Sequence, residues 1–325
     1  MTITGIFLRI IRRISFIRRF FQAIVRRRMA GERSRPGLNR RYNRFNYDEK
    51  AVFQNLFSKI FRHGKNEISD GTWVINFRGR PIQLPLRNRK MWLDWDNAIS
   101  ILGHDPDIKI TYENLLDNDP SPKVFFDIGA NYGTHSLLFL SQGIKTITFE
   151  PNPTLKEEFD EFCRLNNLHG VMENCAVGDR TGIAGLWFTK HDTWLGTIVN
   201  STAELIKKSH ELERIEVPLI TIDEYAERNR ISPDLMKIDT EGSELNVLNG
   251  AKRVIESGRP LIIFESNKLG DRQKIWNIFQ SYQYNIYKLP YTPGSKDILQ
   301  SVEQLLESAS FNFIAVPQQY PATRR

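Results

Sequence analysis

Four acids stand at the ends of short apolar runs: Asp127 in VFFDI, Glu150 after TITF, Asp239 after LMKI and Glu265 after LIIF. Runs of this kind are how the buried strands of a parallel sheet read, and in such sheets ligands sit at the carboxyl ends of the strands. The competing explanation is that each acid caps the helix next to it in the chain, because carboxylates favour helix N-termini. The residues between Asp127 and Glu150 argue for a ligand. Gly129 and Gly133 bracket a tight turn over Gly129-Ala130-Asn131-Tyr132-Gly133, after which an apolar, helix-like pattern resumes. Such a turn lets backbone approach a ligand without Cβ obstruction and leaves a helix N-terminus open. Glu150 comes 23 residues after Asp127, where a carboxylate at the end of a second strand would hold a ribose diol.

The turn does not suit a dinucleotide. A nicotinamide fingerprint needs glycine two positions after Gly129, and Asn131 stands there instead. An acid precedes the glycines. It would repel a pyrophosphate but suits a ligand whose far end is cationic, carrying an ammonium and a sulfonium. The turn is therefore read as a site for S-adenosylmethionine.

The elements that must carry these residues alternate. VFFDI, TITFE, VMENCAV, LMKID and LIIFE read as strands, with helix-like THSLLFLSQ, TLKEEFDEFCRLNN and SELNVLNGAKRVIES between them. Upstream, residues 45–120 form a less legible extension. A helix is expected over Asp48 to Phe61, two strand-like runs around Arg78-Gly79-Arg80, and a helix over MWLDWDNAISIL. Trp73, Trp92 and Trp95 are expected in its core.

Charge is unevenly placed. Of the net +7, residues 1–44 carry +12 from thirteen Arg against the single acid Glu32, leaving −5 for the remainder. A mildly acidic body argues against nucleic acid as partner. Residues 3–28 read as an amphipathic helix with Ile and Phe on one face and Arg opposite. It is too rich in Arg to span a bilayer, and the expectation is contact with an anionic membrane surface from the cytoplasmic side, with an organelle transit peptide or a helix packed on its own domain as alternatives. RSRPGLNRRYNR reads as a flexible joint closing the segment 1–44. Cys163 and Cys175 alone make no disulfide framework, which fits a reducing compartment.

In this order, DIGANYG, FEPNP, NCAVGD, KIDTEGSELNVLNGA and IIFE resemble the FkbM family of class I methyltransferases over roughly residues 120–290. The resemblance implies an α/β, Rossmann-like sheet of seven strands within residues 121–320, six parallel and the last antiparallel, with helices on both faces. YNIYKL and FNFIAVP are the candidates for strands six and seven. It also implies S-adenosylmethionine-dependent O-methylation, often of a sugar hydroxyl in a glycan or glycolipid. Carried over position by position, Asp127, Gly129, Asn131 and Gly133 would hold the amino-acid part of the cofactor, Glu150 the ribose, and Ala176 would flank adenine. Where N-methyltransferases commonly place an Asn/Asp-Pro-Pro-aromatic tetrad, this chain has Asp239-Thr240-Glu241-Gly242.

A hydroxyl must lose its proton as it attacks, so Asp239 is the first choice for base, with Glu241 sharing the role or opening a helix. Asp239, Glu241 and Glu265 would also offer oxygen ligands to a divalent ion such as Mg²⁺, although helix capping explains two of them equally well. The stretch GLWFTKHDTWLGTIVN reads as a hairpin inserted after the third strand, and His191 and Trp194 within it are assigned to the acceptor. The readings that compete with an enzyme of this kind are a membrane scaffold that keeps the fold without the chemistry and, last, a nicotinamide enzyme.

Overall fold

The computed structural model describes residues 15–58, 60, 70–189, 195–266 and 271–320. His191 and Trp194 lie outside that set, as do residues 1–14. The chain divides into two units, one drawn from the described residues up to Ile110 together with Phe162–Leu168, the other comprising Thr111–Glu161 and the described residues from His169 onward.

The first unit holds helices Ser15–Ala30 (α1), Arg35–Tyr42 (α2), Tyr47–Phe57 (α3) and Met91–Gly103 (α4), with strands Gly71–Phe77 (β1) and Arg80–Leu86 (β2). The strands pair antiparallel across Arg78 and Gly79, both at positive φ, as a two-residue hairpin turn requires. Asn46 starts α3 with a reciprocal capping box to Glu49. Trp73 and Trp95 are fully buried, edge to face at 5.0 Å, so they are core as expected.

Two expectations about the basic segment need correction. The stretch read as a flexible joint forms α2 instead, because Leu38 and Tyr42, four residues apart, are both buried and Tyr42 Oη donates to the Ile99 carbonyl at 3.0 Å. Buried Arg35 donates through Nε to the Met29 carbonyl at 3.0 Å, closing the C-terminal end of α1. Residues 15–44 therefore belong to the same unit as α3 and the β1–β2 hairpin. The division between units falls after Ile110, not near 120, within the helix Pro106–Leu116 (α5). On α1, Met29 is buried and Gln22 Nε2 bonds the Leu56 carbonyl at 2.7 Å, while Phe16 and Phe20 stay 73% and 63% exposed. Among the described residues no helix is long and apolar enough to cross a membrane.

The second unit is built on seven strands: Val124–Ile128 (β3), Lys145–Phe149 (β4), Val171–Glu173 (β5), Leu235–Ile238 (β9), Leu261–Glu265 (β10), Tyr284–Lys288 (β11) and Asn312–Pro317 (β12), in the spatial order β11-β12-β10-β9-β3-β4-β5. The β9, β3, β4 and β5 neighbours and the β9–β10 pair are parallel, and β12 runs antiparallel to both β10 and β11. The seventh strand in chain order is thus the reversed one, as expected. The order switches direction between β9 and β3, and the crevice at their carboxyl ends is where this topology places a ligand.

VMENCAV does not form one strand. A tight turn, in which Cys175 N donates to the Glu173 carbonyl at 2.9 Å, ends β5, and Ala176–Val177 (β6) leaves for a second sheet. There β6 and Gly182–Phe188 (β7) flank Glu213–Ile220 (β8). β7 pairs antiparallel with β8, and among the described residues a single bridge joins Trp187 to Thr197, while residues 190–194 of the expected local hairpin lie outside the described set.

Candidate active site

The turn Gly129–Gly133 links β3 to the helix Thr134–Ser141 (α6), and four of its five amides are bonded within the protein. The amides of Gly129 and Ala130 donate to the Phe149 carbonyl, that of Gly133 to the Ala130 carbonyl, and that of Asn131 to Glu150 Oε2 at 2.8 Å. None of these four is left to cradle a phosphate. Gly129 is required by the protein itself: at φ +75°, a Cβ would lie 1.9 Å from the Asp239 carbonyl oxygen. Gly133, at φ +68°, would press a Cβ into the Phe159 ring.

Asp127 lies behind the turn. It is fully buried, and its Oδ2 accepts from Ser136 N at 3.0 Å and Ser136 Oγ at 2.7 Å, while Oδ1 has no hydrogen-bond partner. The capping explanation therefore holds for Asp127, which caps the first turn of α6 and does not line the cleft. Burial raises its pKa, opposed by the charge of Lys237 and the Ser136 bonds. Glu150 does face the cleft. Each of its oxygens accepts one amide at 2.8 Å, Asn131 N on Oε2 and Asn152 N on Oε1, leaving lone pairs on both for a ligand. Burial raises its pKa to about 7 against those two bonds.

The opposite side of the cleft is the segment after β9. Asp239, Thr240 and Glu241 line it together with Gly129, Asn131 and Glu150, and Ala176, Val177, Leu186 and Ile198 supply an apolar wall. About 730 Å³ is unfilled, open solvent at the mouth included. Oxygens of Asp239, Glu241 and Glu265 lie within 4.8 Å of one another. Burial, with the neighbouring charge of Asp239, lifts Glu241 to about 8 and Glu265 to about 9, so at neutral pH both are largely protonated. Glu265 then hydrogen-bonds Asp239.

Four partners of this cluster went unread in the sequence. Lys237, fully buried on β9, donates to Asp239 Oδ2 at 2.9 Å, and although burial pulls its pKa down, the charges of Asp239 and Asp127 outweigh that and raise it. A lysine inside a buried apolar run was itself the signal, because such a lysine needs a paired acid. Glu244 Oε1 accepts from the amides of Thr240 and Gly242 at 3.0 and 3.1 Å and holds the turn in which Glu241 sits at φ +51°. Thr197 Oγ1 donates to the Glu241 carbonyl at 3.0 Å. Ser136 completes the Asp127 pair, and neither it nor Thr197 stands out in sequence.

The raised Glu150 has a consequence for the unliganded protein. In the unfolded chain this carboxyl ionises near its ordinary 4.5, in the folded chain near 7, so its contribution to stability is present below about 4.5 and is lost as pH rises through 7. Scanning fluorimetry of the free protein should give a melting temperature that falls between pH 5.5 and 8. Glu150→Gln should make that slope shallower, Glu241 and Glu265 supplying the remainder; an unchanged slope would mean that Glu150 is not one of the titrating groups.

The sequence profile of the Methyltransferase FkbM domain matches residues 127–312, from the acid of β3 to the first residue of β12. The chain belongs to the FkbM methyltransferase family. Hexuronic acid methyltransferase AglP of Haloferax volcanii is 26% identical to this FkbM chain over 150 residues, which is 46% of this chain and 58% of AglP. Among solved structures the chain is similar to Methyltransferase FkbM from Methylobacillus flagellatus KT, with 13% identity, a TM-score of 0.38, and 70% of this chain and 55% of that one covered. It is also similar to the SAM-dependent methyltransferase from Agrobacterium tumefaciens, with 11% identity, a TM-score of 0.39, and 78% and 72% covered. The chain thus spans just over half the length of AglP and of the Methylobacillus protein.

Proposed function

We propose that this FkbM-family protein is an S-adenosylmethionine-dependent O-methyltransferase whose acceptor is a sugar hydroxyl. The observation that carries the reading is the pairing, in one cleft, of Glu150 with free acceptor capacity and Asp239 held by Lys237. The hexuronic acid in AglP's name supports a sugar as acceptor.

The residues fit the cofactor. Glu150 would take the ribose hydroxyls, and Asn131 and Ala176 would flank the nucleoside. With four of the five turn amides engaged, the turn does not offer a nicotinamide dinucleotide the amide cradle its pyrophosphate needs. When bound, S-adenosylmethionine supplies an electrophilic methyl group. Asp239 would accept the proton from the acceptor hydroxyl, and Lys237 positions that carboxylate. Glu241 and Glu265, largely protonated, limit charge repulsion at the edge, and with Asp239 they form a set of oxygens that a hard divalent cation could bridge. Asp127, Gly129 and Gly133 shape the turn from behind. The acceptor side is assigned to the inserted sheet, with His191 and Trp194 as its proposed contacts. The basic segment at residues 3–28 is proposed to keep the enzyme beside an anionic membrane surface.

Calorimetric titration tests the cofactor assignment. S-adenosylhomocysteine should bind at micromolar Kd, NAD should not, and Glu150→Ala should weaken S-adenosylhomocysteine binding at least about tenfold, the loss of a buried charge-assisted bond pair. No binding by folded wild-type protein would leave a scaffold that keeps the fold alone.

A further inference from the structure

The first unit carries a second cavity, between the end of α1 and α2, lined by Arg28, Arg33, Ser34, Leu38, Arg40 and Arg41 around Gly37. No acid lines it. Its arginines differ from their neighbour Arg35, whose buried guanidinium is consumed by the Met29 and Ala30 carbonyls. Arg28, Arg33, Arg40 and Arg41 are all exposed, and among the described residues none of their guanidinium groups has a hydrogen bond or an ion pair within the protein. Four like charges gathered round one hollow repel one another, and no carboxylate lines the hollow to offset that. A bound anion would offset it.

The donor set defines the anion. Guanidinium forks match phosphate oxygens two at a time, and several forks without a carboxylate suit a group carrying more than one negative charge. A phosphate monoester or a diphosphate meets that description better than a phosphodiester or a carboxylate. The source is indicated by α1 itself. Phe16 and Phe20, one helical turn apart on a shared face, leave 73% and 63% of their surface exposed on the helix whose last turn carries Arg28. Exposed aromatic side chains on a basic helix are suited to the boundary between headgroups and acyl chains. Charge points the same way: the excess of +12 is confined to residues 1–44 while the remainder is acidic.

We propose that the cavity of Arg28, Arg33, Arg40 and Arg41 is a binding site for the phosphate monoester or diphosphate headgroup of a membrane lipid. It goes beyond a diffuse attraction to negative surfaces and stands whether or not the cleft transfers a methyl group.

Vesicle co-sedimentation of the full chain tests this, comparing phosphatidylcholine vesicles doped with phosphatidic acid against vesicles doped with phosphatidylserine to the same zeta potential. The wild type should bind the phosphatidic acid vesicles at least about fivefold more tightly. The triple variant Arg33→Gln/Arg40→Gln/Arg41→Gln should lose that preference. The charge-matched variant Arg18→Gln/Arg19→Gln/Arg44→Gln, which spares the cavity, should weaken both bindings by the same factor and keep it. All the substituted side chains are exposed, and unchanged circular dichroism melts would confirm folding; the single Arg40→Gln, with a partial loss, serves if the triple variant melts early. Equal affinity for the two vesicle types, or equal behaviour of the two triple variants, overturns the site. One-to-one binding of inorganic pyrophosphate in solution without any vesicle preference overturns the lipid source.

Discussion

Asp239→Asn is expected to lower kcat by about 10²- to 10⁴-fold at neutral pH, the usual worth of a positioned proton acceptor, while S-adenosylhomocysteine binds within about threefold of wild type. The asparagine keeps the shape and one hydrogen-bond acceptor for Lys237 but cannot take a proton. Three carboxyls share the edge, and their environments separate them. Burial and mutual repulsion lift Glu241 to about 8 and Glu265 to about 9, so near neutral pH neither is a ready base. Asp239 alone has a buried ammonium 2.9 Å away. Glu241→Gln, which imitates the form already present, should accordingly cost far less than Asp239→Asn. The measurement is the initial rate of label transfer to uronic and neutral sugars, with and without a chelator. Loss of rate on chelation would reassign the three carboxylates to a bound cation, and wild-type kcat in Asp239→Asn would remove the base altogether.

Much of this geometry was legible from strand ends. LMKID, LIIFE, TITFE and VFFDI form strands at those places because each is a short apolar run stopped by a polar residue, and a doubly covered parallel sheet asks nothing more of a strand. Two strand ends then put Glu150 and Asp239 on the same cleft. What was not legible is which carboxylates the protein keeps for itself. Asp127 and Glu150 look alike in sequence, yet the first is consumed by Ser136, nine residues on, and the second keeps half its lone pairs free. The difference depends on the three-dimensional path of the turn, which no spacing rule reports. Thr197 shows the same limit, since its hydroxyl meets the Glu241 carbonyl 44 residues away only because the inserted sheet folds back over the segment after β9. The joint expected before Asn46 failed for a different reason. Its Arg, Pro and Gly content suggested a loop, but two apolar residues at helical spacing and a proline in the first turn were enough for a helix once a core was available.

Gly129→Ala is expected to destabilise the second unit by about 2–5 kcal/mol, combining a left-handed backbone cost of about 1–2 with an overpacking cost of about 1–3. The size is set by the atoms the methyl group would meet. Its carbon would sit 1.9 Å from the Asp239 carbonyl oxygen and 2.8 Å from the carbonyl carbon, both backbone atoms that cannot rotate aside. The turn and the end of β9 would have to separate, and the bonds that bind these strand ends, Gly129 N to Phe149 O and Asp239 N to Ile128 O, both at 3.0 Å, would stretch with them. Gly143→Ala is the matched control, because Gly143 has nearly the same φ, +77°, but open space where its Cβ would go. That variant should lose only the backbone part, about 1–2 kcal/mol. Calorimetric unfolding of the two variants beside wild type measures the difference, and S-adenosylhomocysteine titration should show cofactor affinity reduced in Gly129→Ala alone. Equal melting shifts for the two would mean that the contact with Asp239 carries no energy. A larger shift for Gly129→Ala places the glycine's role between two strands, where it lets the loop bearing Asp239 close against the turn that holds Glu150 through Asn131.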